Sequence, residues 1–558
     1  MCKNTFWDFL SIKIDNLIYI YITVAVVVFN LIAIFGIDFL IHDDPAFYGF
    51  VVTGKLPHSL KKISYLYAYK EWLVWNIMAI SPTLVRSLYV LVLLVPVSCL
   101  FFYLLRNKLG FSRLTAATAA ILPNILPYQT QIPVGINLSY TLWGLLFSLI
   151  SVILGFQYLE KSAPKNGLRL AGAVITYFIA CQLMEQSLFL FAPIAFIFLG
   201  YTKLSKRHLW LNGFFLLIAV HRLISILIHM RKTIAHIPLD TILKRFGLFM
   251  KWSLPSPDIN PLFITIICFC VTVLGFISYL KHTTDSLKLK KSFSHFTKKS
   301  FLYYLYGFLF CWALASIVVF LCLTKNFQPR YVHISSFSIN AIFVFSLFWI
   351  LQHKLLKKFN LHIPLFILLI LFSGIYRYVN LKEIYTRRNF VHSIFVKELK
   401  KFSFPLKAQI VISASKAIGI PKGWHRSSGY FKFILKREDV DGIIRNANSF
   451  GKMRYYNHFN PKDRTWNPKY PMTGISLERP VFLFSLDVEV KKLVQFEYAL
   501  NWEKDSHTAS WTVFKLDKNN GTAISLVSGT GIKEYQLTLE KLRKRQVYPS
   551  KIMWGRIK

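Results

Sequence analysis

Apolar runs long enough to cross a bilayer recur through roughly the first 380 residues of this 558-residue chain. In hydrocarbon every backbone N–H and C=O must be satisfied within the segment, so a chain patterned this way is confined to a bundle of helices. Hydropathy places about eleven spans, near 17–37, 84–105, 114–127, 138–159, 168–183, 186–201, 209–228, 260–280, 301–323, 335–352 and 361–377. The third and fifth are short. The last ~180 residues carry no such run and read as a soluble domain. The expected fold is mainly α. It is a polytopic helical membrane bundle of about 11 helices over residues 1–380, with a C-terminal extracytoplasmic α/β or β-rich domain over 381–558.

Charge sets the orientation. Lys and Arg number 67 against 26 Asp and Glu, a formal net charge of +41. Much of the excess lies in alternate short loops: Arg106, Lys108 and Arg113; Lys161, Lys165 and Arg169; Lys203, Lys206 and Arg207; Lys281 to Lys299; and Lys354, Lys357 and Lys358. Such loops stay cytoplasmic, so the basic excess reads as topology and no nucleic-acid partner is expected. The N-terminus is then cytoplasmic, its first span acting as an uncleaved signal anchor. The first loop (38–83) and the C-terminal domain lie on the opposite, outer side. By composition the expected location is a bacterial inner (cell) membrane, the alternative being an endoplasmic reticulum. Six of the seven cysteines lie in or at the ends of apolar spans and the C-terminal domain has none, so no disulfide framework or Cys-based metal site is expected.

The outer loops hold the candidate chemistry. Directly after the first span comes Asp38-Phe-Leu-Ile-His42-Asp43-Asp44-Pro45-Ala-Phe-Tyr48-Gly49. Acids are scarce here, and Asp43 with Asp44 is an adjacent pair at a membrane surface. It reads either as a helix N-cap before Pro45 or as a general base beside a carboxylate that orients it or holds a metal. Tyr65 to Trp75 is aromatic and amphipathic, as an interfacial helix would be. His229 to Asp258, with Arg231, Lys232, Lys244, Arg245 and Lys251, reads as a second, basic one. Glu185 joins two spans on the outer side, either as a solvated turn or as a functional acid. Arg330 either snorkels or clamps a phosphate, with Tyr331 and His333 behind it. His221 and Arg222 fall inside the seventh span; they require an internal partner, a carboxylate or a lipid phosphate, or a span of different register. Lys55, Lys61, Lys62, Arg231 and Lys232 are further outer-side cations. There is no P-loop, GxGxxG, GxSxG or HExxH.

In the C-terminal part a helix is expected near Arg387 to Lys401, then a strand at Ala408 to Ser413. Strands follow at Val481–Val490, Leu493–Leu500 and Ser510–Leu516, the last turning through Asp517 to Gly521 into Thr522–Val527 as a hairpin.

With these pieces placed, the chain resembles the GT-C superfamily of polytopic glycosyltransferases, which take a sugar from a polyprenyl-phosphate carrier at the outer membrane face. Three strings carry the resemblance over roughly residues 10–380. His42-Asp43-Asp44-Pro-Ala-Phe-Tyr48 is similar to the family's acidic motif in the first outer loop. Met184-Glu185-Gln186-Ser187 through Pro193 is similar to its KE-x-x-hydrophobic-P pattern, with Met184 in place of the usual Lys. Arg330-Tyr331-Val-His333-Ile-Ser-Ser is similar to its late RY pattern. The resemblance implies Asp43 as base and Asp44 as its neighbour; from the adjacency of the two carboxylates Asp44 is the expected ligand for a divalent ion (Mg or Mn), the one cofactor expected. It implies Arg330 at the carrier phosphate. Lys55 and Arg231 are candidates from charge and side, and Arg222 from its place in a span; with Glu185, Arg330, Tyr331 and His333 they make up the expected substrate-binding set. The partners implied are the bilayer, a polyprenyl-phosphate-linked sugar and a glycan, lipid or protein acceptor. One displacement from a monophosphate carrier implies inversion at the anomeric carbon.

Rival readings are a transporter or flippase, which calls for internal repeats and polar groups near the midplane, and a polymerase or acyltransferase of surface-glycan assembly. The chain shows no clear repeat, and its acids gather at one surface.

Overall fold

The computed structural model describes residues 3–35, 37, 48–49, 52, 81–127, 135, 139–159, 166–184, 187, 206–230, 238–255, 260–289, 309, 312, 332–352, 360–414, 424–446, 459–460, 465–466, 481–487, 492–496, 498–504, 509–516 and 523–530. The chain divides into two compact units. One is Met1–Gly36, Lys62–Tyr67 and Thr83–Lys382; the other is Ile37–Lys61, Ala68–Pro82 and Glu383–Lys558.

The first unit is helical. In chain order it holds α1 (Lys3–Ile34), α2 (Pro82–Lys108), α3 (Arg113–Ile125), α4 (Ser139–Leu159), α5 (Asn166–Leu183), α6 (Lys206–Met230), α7 (Leu239–Ser253), α8 (Pro261–Leu289), α9 (His333–Leu351) and the first part of α10 (His362–Leu399). Among the described residues six helical segments are long and apolar enough to cross a membrane: Asn16–Ile34, Pro82–Lys108, Thr141–Leu159, Lys206–Ser225, His333–Leu351 and His362–Lys382. Gly167–Leu183 and Phe263–Ser278 are shorter apolar helices. These eight fall on eight of the expected spans. The expected third span is α3, whose 13 residues rise only about 20 Å, too little to cross alone. The expected spans 186–201 and 301–323 lie largely outside the described residues.

Burial fits a lipid solvent. Leu209, Trp210 and Leu217 on α6, Phe269 on α8 and Leu368 on α10 are all more than 60% exposed. In water such faces would drive association; in lipid they need no partner. The inner faces converge on one core that includes Val97, Phe101, Phe102, Phe111, Leu145, Leu149, Tyr177, Phe337 and Val344. Helix α3 is buried at every residue from Thr115 to Ile125. Its Ala116, Ala117, Ala119 and Ala120 let neighbouring backbones approach closely, and Ser112 caps it by accepting the Thr115 N–H at 3.2 Å. Helices α8 and α9 meet at Gly275, where a Cβ would lie 2.5 Å from Ser346 Cα. Helix α2 carries a π-turn at Val90–Leu94, directly ahead of Pro96, whose missing N–H leaves the regular ladder incomplete.

One helix overturns a sequence expectation. The eleventh span and the separate helix expected near Arg387 are a single continuous α10, from His362 to Leu399. No Pro or Gly stands between Ile375 and Leu399 to stop it. The apolar-to-charged change near residue 380 leaves the backbone unbroken.

In the second unit β1 (Gln409–Ala414), α11 (Trp424–Leu435) and β2 (Asp441–Asn446) form a βαβ unit with parallel strands. Two short strands, β3 (Phe459–Asn460) and β4 (Thr465–Trp466), pair antiparallel. β5 (Val481–Asp487) joins β1 in parallel and β6 (Lys492–Phe496) adds antiparallel, giving the order β2-β1-β5-β6. β7 (Tyr498–Lys504), β8 (Ala509–Leu516) and β9 (Ala523–Thr530) form a separate three-stranded sheet. The strand expected over Leu493–Leu500 is therefore two strands in two sheets. The expected hairpin is β8–β9, with Leu516 opposite Ala523.

Candidate functional site

Several polar side chains are buried in the helical unit. Helix α9 begins with His333, followed by Ser335, Ser336, Ser338 and Asn340, none more than 1% exposed. Burial of such groups demands hydrogen bonds. Ser336 Oγ donates to the His333 carbonyl and Ser338 Oγ to that of Ser335 at 2.9 Å. Asn340 Nδ2 donates to the carbonyls of Ser253 (2.6 Å) and Ser336 (2.7 Å), tying α9 to the end of α7. The His333 ring lies edge-on to Phe337, centroids 5.4 Å apart, and Phe337 lies edge-on to Phe101 at 5.1 Å. Neither His333 nitrogen has a hydrogen-bond partner among the described residues. Arg377 is buried on α10, and its Nη1 donates to the Asn124 carbonyl. Asn124 Nδ2 in turn donates to Ser98 Oγ at 2.5 Å. Arg377, Asn124 and Ser98 thus form a hydrogen-bonded chain contributed by α10, α3 and α2.

Arg222 is buried while its neighbour His221 is exposed, as one face of a helix requires. Arg222 Nε donates to the Cys181 carbonyl at 3.1 Å. That carbonyl is in the last turn of α5, where four acceptors lack an intrahelical donor. Arg86, four residues into α2, is fully buried as well. Arg86, Arg377, Asn124 and Ser98 were not singled out from the sequence. An Arg inside or at the end of an apolar run is a visible signal for the first two; nothing local marks Asn124 or Ser98.

In the second unit the acidic string that follows α1 is represented by Tyr48 and Gly49, both helical. Tyr48 is 5% exposed, its ring edge-on to Phe433 of α11 with centroids 5.5 Å apart. Burial, and then the charge of Glu438, push the Tyr48 hydroxyl above its ordinary range. Gly49 lies on Gly429: a Cβ there would be 3.0 Å from Gly429 Cα and 3.4 Å from its nitrogen. Helix α11 is fixed on its other sides. Ser427 Oγ accepts the Ile444 N–H at 3.0 Å, and Ser428 Oγ donates to Asp441 Oδ1 at 2.5 Å. Lys432 Nζ is 3.1 Å from the same carboxylate oxygen and donates to the Glu438 carbonyl. Tyr430 OH and His392 Nδ1 share a 2.7 Å hydrogen bond, which joins α11 to α10. Burial raises the Tyr430 hydroxyl well above its usual range. Gly442 of β2 stands where a Cβ would run into the Ile410 carbonyl and the Phe431 ring.

Beyond α11, Arg437 grips Asp439 through Nε (3.0 Å) and Nη2 (2.5 Å) and donates to the Phe404 and Pro405 carbonyls at 2.6 and 2.9 Å. That hydrogen bonding holds the Asp439 carboxyl down at about 2.

Of the residues expected from sequence to form the site, His333 and Arg222 are described. Asp43, Asp44, Glu185, Arg330, Tyr331, Lys55 and Arg231 lie outside the described residues, as do Lys61, Lys62 and Lys232. Among the described residues no group of three His, Cys, Asp or Glu stands together to hold a metal ion.

No family model matches the sequence, and no curated protein matches it. Among solved structures the chain is similar to the crystal structure of ArnT from Cupriavidus metallidurans bound to undecaprenyl phosphate. The TM-score is 0.40 at 9% identity, over 84% of this chain and 93% of that one.

Proposed function

We propose that the chain is an integral-membrane glycosyltransferase of GT-C type, which moves a sugar from a polyprenyl-phosphate donor to a glycan, lipid or protein acceptor at the outer membrane face. The observation that supports this reading is the order of the acidic string in the sequence: Asp43 and Asp44 come after the apolar helix Asn16–Ile34 and ahead of Tyr48, which is buried against Phe433. An acid pair that follows an apolar span in the sequence is suited to chemistry at the membrane surface.

In this reading Asp43 accepts the proton of the acceptor hydroxyl. The hydroxyl oxygen forms the new bond to the anomeric carbon as the bond from that carbon to the carrier phosphate oxygen breaks, and the phosphate leaves with the bonding electrons. One displacement inverts the anomeric centre. Asp44 orients Asp43 or holds a divalent cation. Arg330 takes up the charge that develops on the leaving phosphate, where a fixed cation lowers the barrier most. Lys55, Arg231, Glu185 and Tyr331 complete the outer-face set.

A transporter is the second reading, favoured by the buried His333, Arg377, Asn124 and Ser98, since polar groups inside a membrane bundle also mark translocation paths. Sugar transfer by isolated membranes, supplied with a panel of polyprenyl-phosphate sugars and compared with Asp43→Asn, separates the two. The enzyme releases carrier phosphate and loses that activity with Asp43; a transporter consumes no donor.

A further inference from the structure

We propose that the outward side of α7 is a docking surface for anionic phospholipid headgroups, with Lys244 and Lys251 on the headgroup phosphate and Leu243 at the acyl boundary; no step of sugar transfer enters into it.

The depth of α7 follows from its contacts. The carbonyl of its last residue, Ser253, accepts the Asn340 side-chain N–H at 2.6 Å. Asn340 is the eighth residue of the apolar segment His333–Leu351, about 10 Å from the head of that helix. Six residues before Ser253, Gly247 meets Pro261, the first residue of α8; a Cβ there would lie 3.2 Å from the proline Cβ. Phe249 and Leu254 share a core with Ile264 and Cys268 of α8 and with Val332 and Ile339. One side of α7 is therefore bound to two apolar helices near their ends, with its last turn at membrane depth. A helix so placed meets the bilayer interface with its other side.

That side is mixed in character. Leu243 is 62% exposed, Lys244 beside it is exposed and Lys251 is half-buried. The two lysines are seven residues apart, about two turns, so they share one stripe of the helix. Arg245, the third cation of α7, is buried and falls off that stripe. Asp240 is exposed in the first turn, where it offsets the positive end of the helix dipole. An exposed leucine in this position calls for hydrocarbon, and lysines with apolar stems reach from there to the headgroup level. A soluble anion would satisfy the lysines alone. A phospholipid of net negative charge satisfies both the lysines and the leucine.

The test titrates purified full-length protein in detergent with phosphatidylglycerol and with phosphatidylcholine. Native mass spectrometry reads Kd for the first lipid bound. Wild type is expected to prefer phosphatidylglycerol, each lysine contributing about fivefold to that preference. Lys244→Gln and Lys251→Gln each remove their share at an unchanged thermal midpoint, because glutamine serves an exposed helix position as well as lysine does. Lys244→Arg keeps the preference. Leu243→Ser weakens both lipids alike. Lys400→Gln, which removes an exposed lysine from the second unit, stays within about twofold of wild type. An undiminished preference in the double variant Lys244→Gln/Lys251→Gln overturns the proposal. So does an equal loss in Lys400→Gln, which would mark net charge alone. So does displacement of phosphatidylglycerol by inorganic phosphate, which would mark a site for a free anion. A lysine-dependent preference in a protein that transfers no sugar upholds the docking surface while the proposed function falls.

Discussion

Asn340 of α9 donates its side-chain N–H to the main-chain carbonyl of Ser253, at the last residue of α7, across 2.6 Å. The same nitrogen reaches the Ser336 carbonyl at 2.7 Å. One buried amide therefore ties a membrane-spanning helix to an amphipathic, basic one. Asn340→Leu keeps the branched shape and removes the donor. It is expected to lower stability in detergent by about 0.6–1.7 kcal/mol, the range of interhelical hydrogen bonds in membrane bundles. Thermal unfolding of purified protein checks it; an unchanged midpoint would show that the tie contributes nothing.

Gly275 and Gly213 make a matched pair. A Cβ at Gly275 would lie 2.5 Å from Ser346 Cα, whereas one at Gly213 has nothing within 4 Å. Gly275→Ala is expected to push α8 off α9 and cost about 1–3 kcal/mol, as overpacking does. Gly213→Ala is expected to be neutral or to stabilise by up to about 1 kcal/mol through helix propensity. Thermal midpoints of the two variants side by side decide the matter, and equal effects would contradict the close crossing of α8 and α9.

The Arg437–Asp439 pair sets an acid limit. Asp439 is held at about 2 against its ordinary 3.8, chiefly by the hydrogen bonds from Arg437. The folded state thus binds the proton less readily than the unfolded one. The pair's stabilisation is complete above pH 3.8 and drains away as pH falls toward 2. Asp439→Asn should flatten the loss of protection around β1 and α11 in that window, read by hydrogen exchange. A variant as acid-sensitive as wild type would refute this. Arg437→Lys keeps the charge but loses the fork to the Phe404 and Pro405 carbonyls, at about 1–2 kcal/mol.

Arg222 closes the end of α5 through the Cys181 carbonyl. Arg222→Gln keeps an N–H donor without the charge, and Arg222→Leu keeps neither. The expected order of thermal stability is wild type, then Gln, then Leu, with donor KM in the Gln variant within about twofold of wild type. A KM raised about tenfold by Gln, at unchanged stability, would instead place the guanidinium on the donor phosphate.

Much of this architecture is legible in the sequence because lipid imposes a simple rule. Window hydropathy finds Pro82–Lys108, Thr141–Leu159 and His333–Leu351 to within a few residues, since a spanning helix needs about 20 apolar residues whatever it packs against. The same rule misreads α10: the apolar-to-charged change in sequence near residue 380 resembles an element boundary, while the backbone continues to Leu399. The hairpin β8–β9 is readable from the turn residues between its strands. The parallel pairing of β1 with β2 and β5 is not, because it joins strands far apart in sequence through contacts such as Gly442 on Ile410. In the candidate site Arg222 stands out as an Arg in an apolar run. Its partner carbonyl carries no sequence signal, nor does the Asn124–Ser98 pair. Tyr48 and Gly49 sit inside the acidic string, but their seat on Phe433 and Gly429 lies about 380 residues away and no local pattern announces it.

The central claim is that Asp43 removes a proton from a sugar acceptor at the membrane surface. Its most direct test is release of sugar from polyprenyl-phosphate donors by isolated membranes, wild type against Asp43→Asn, at matched expression and insertion. Transfer from one donor class by wild type is expected, with a loss of about a hundredfold or more in the variant, as removal of a general base entails. Equal transfer by an active wild type and Asp43→Asn, or no donor consumed by either, would contradict it.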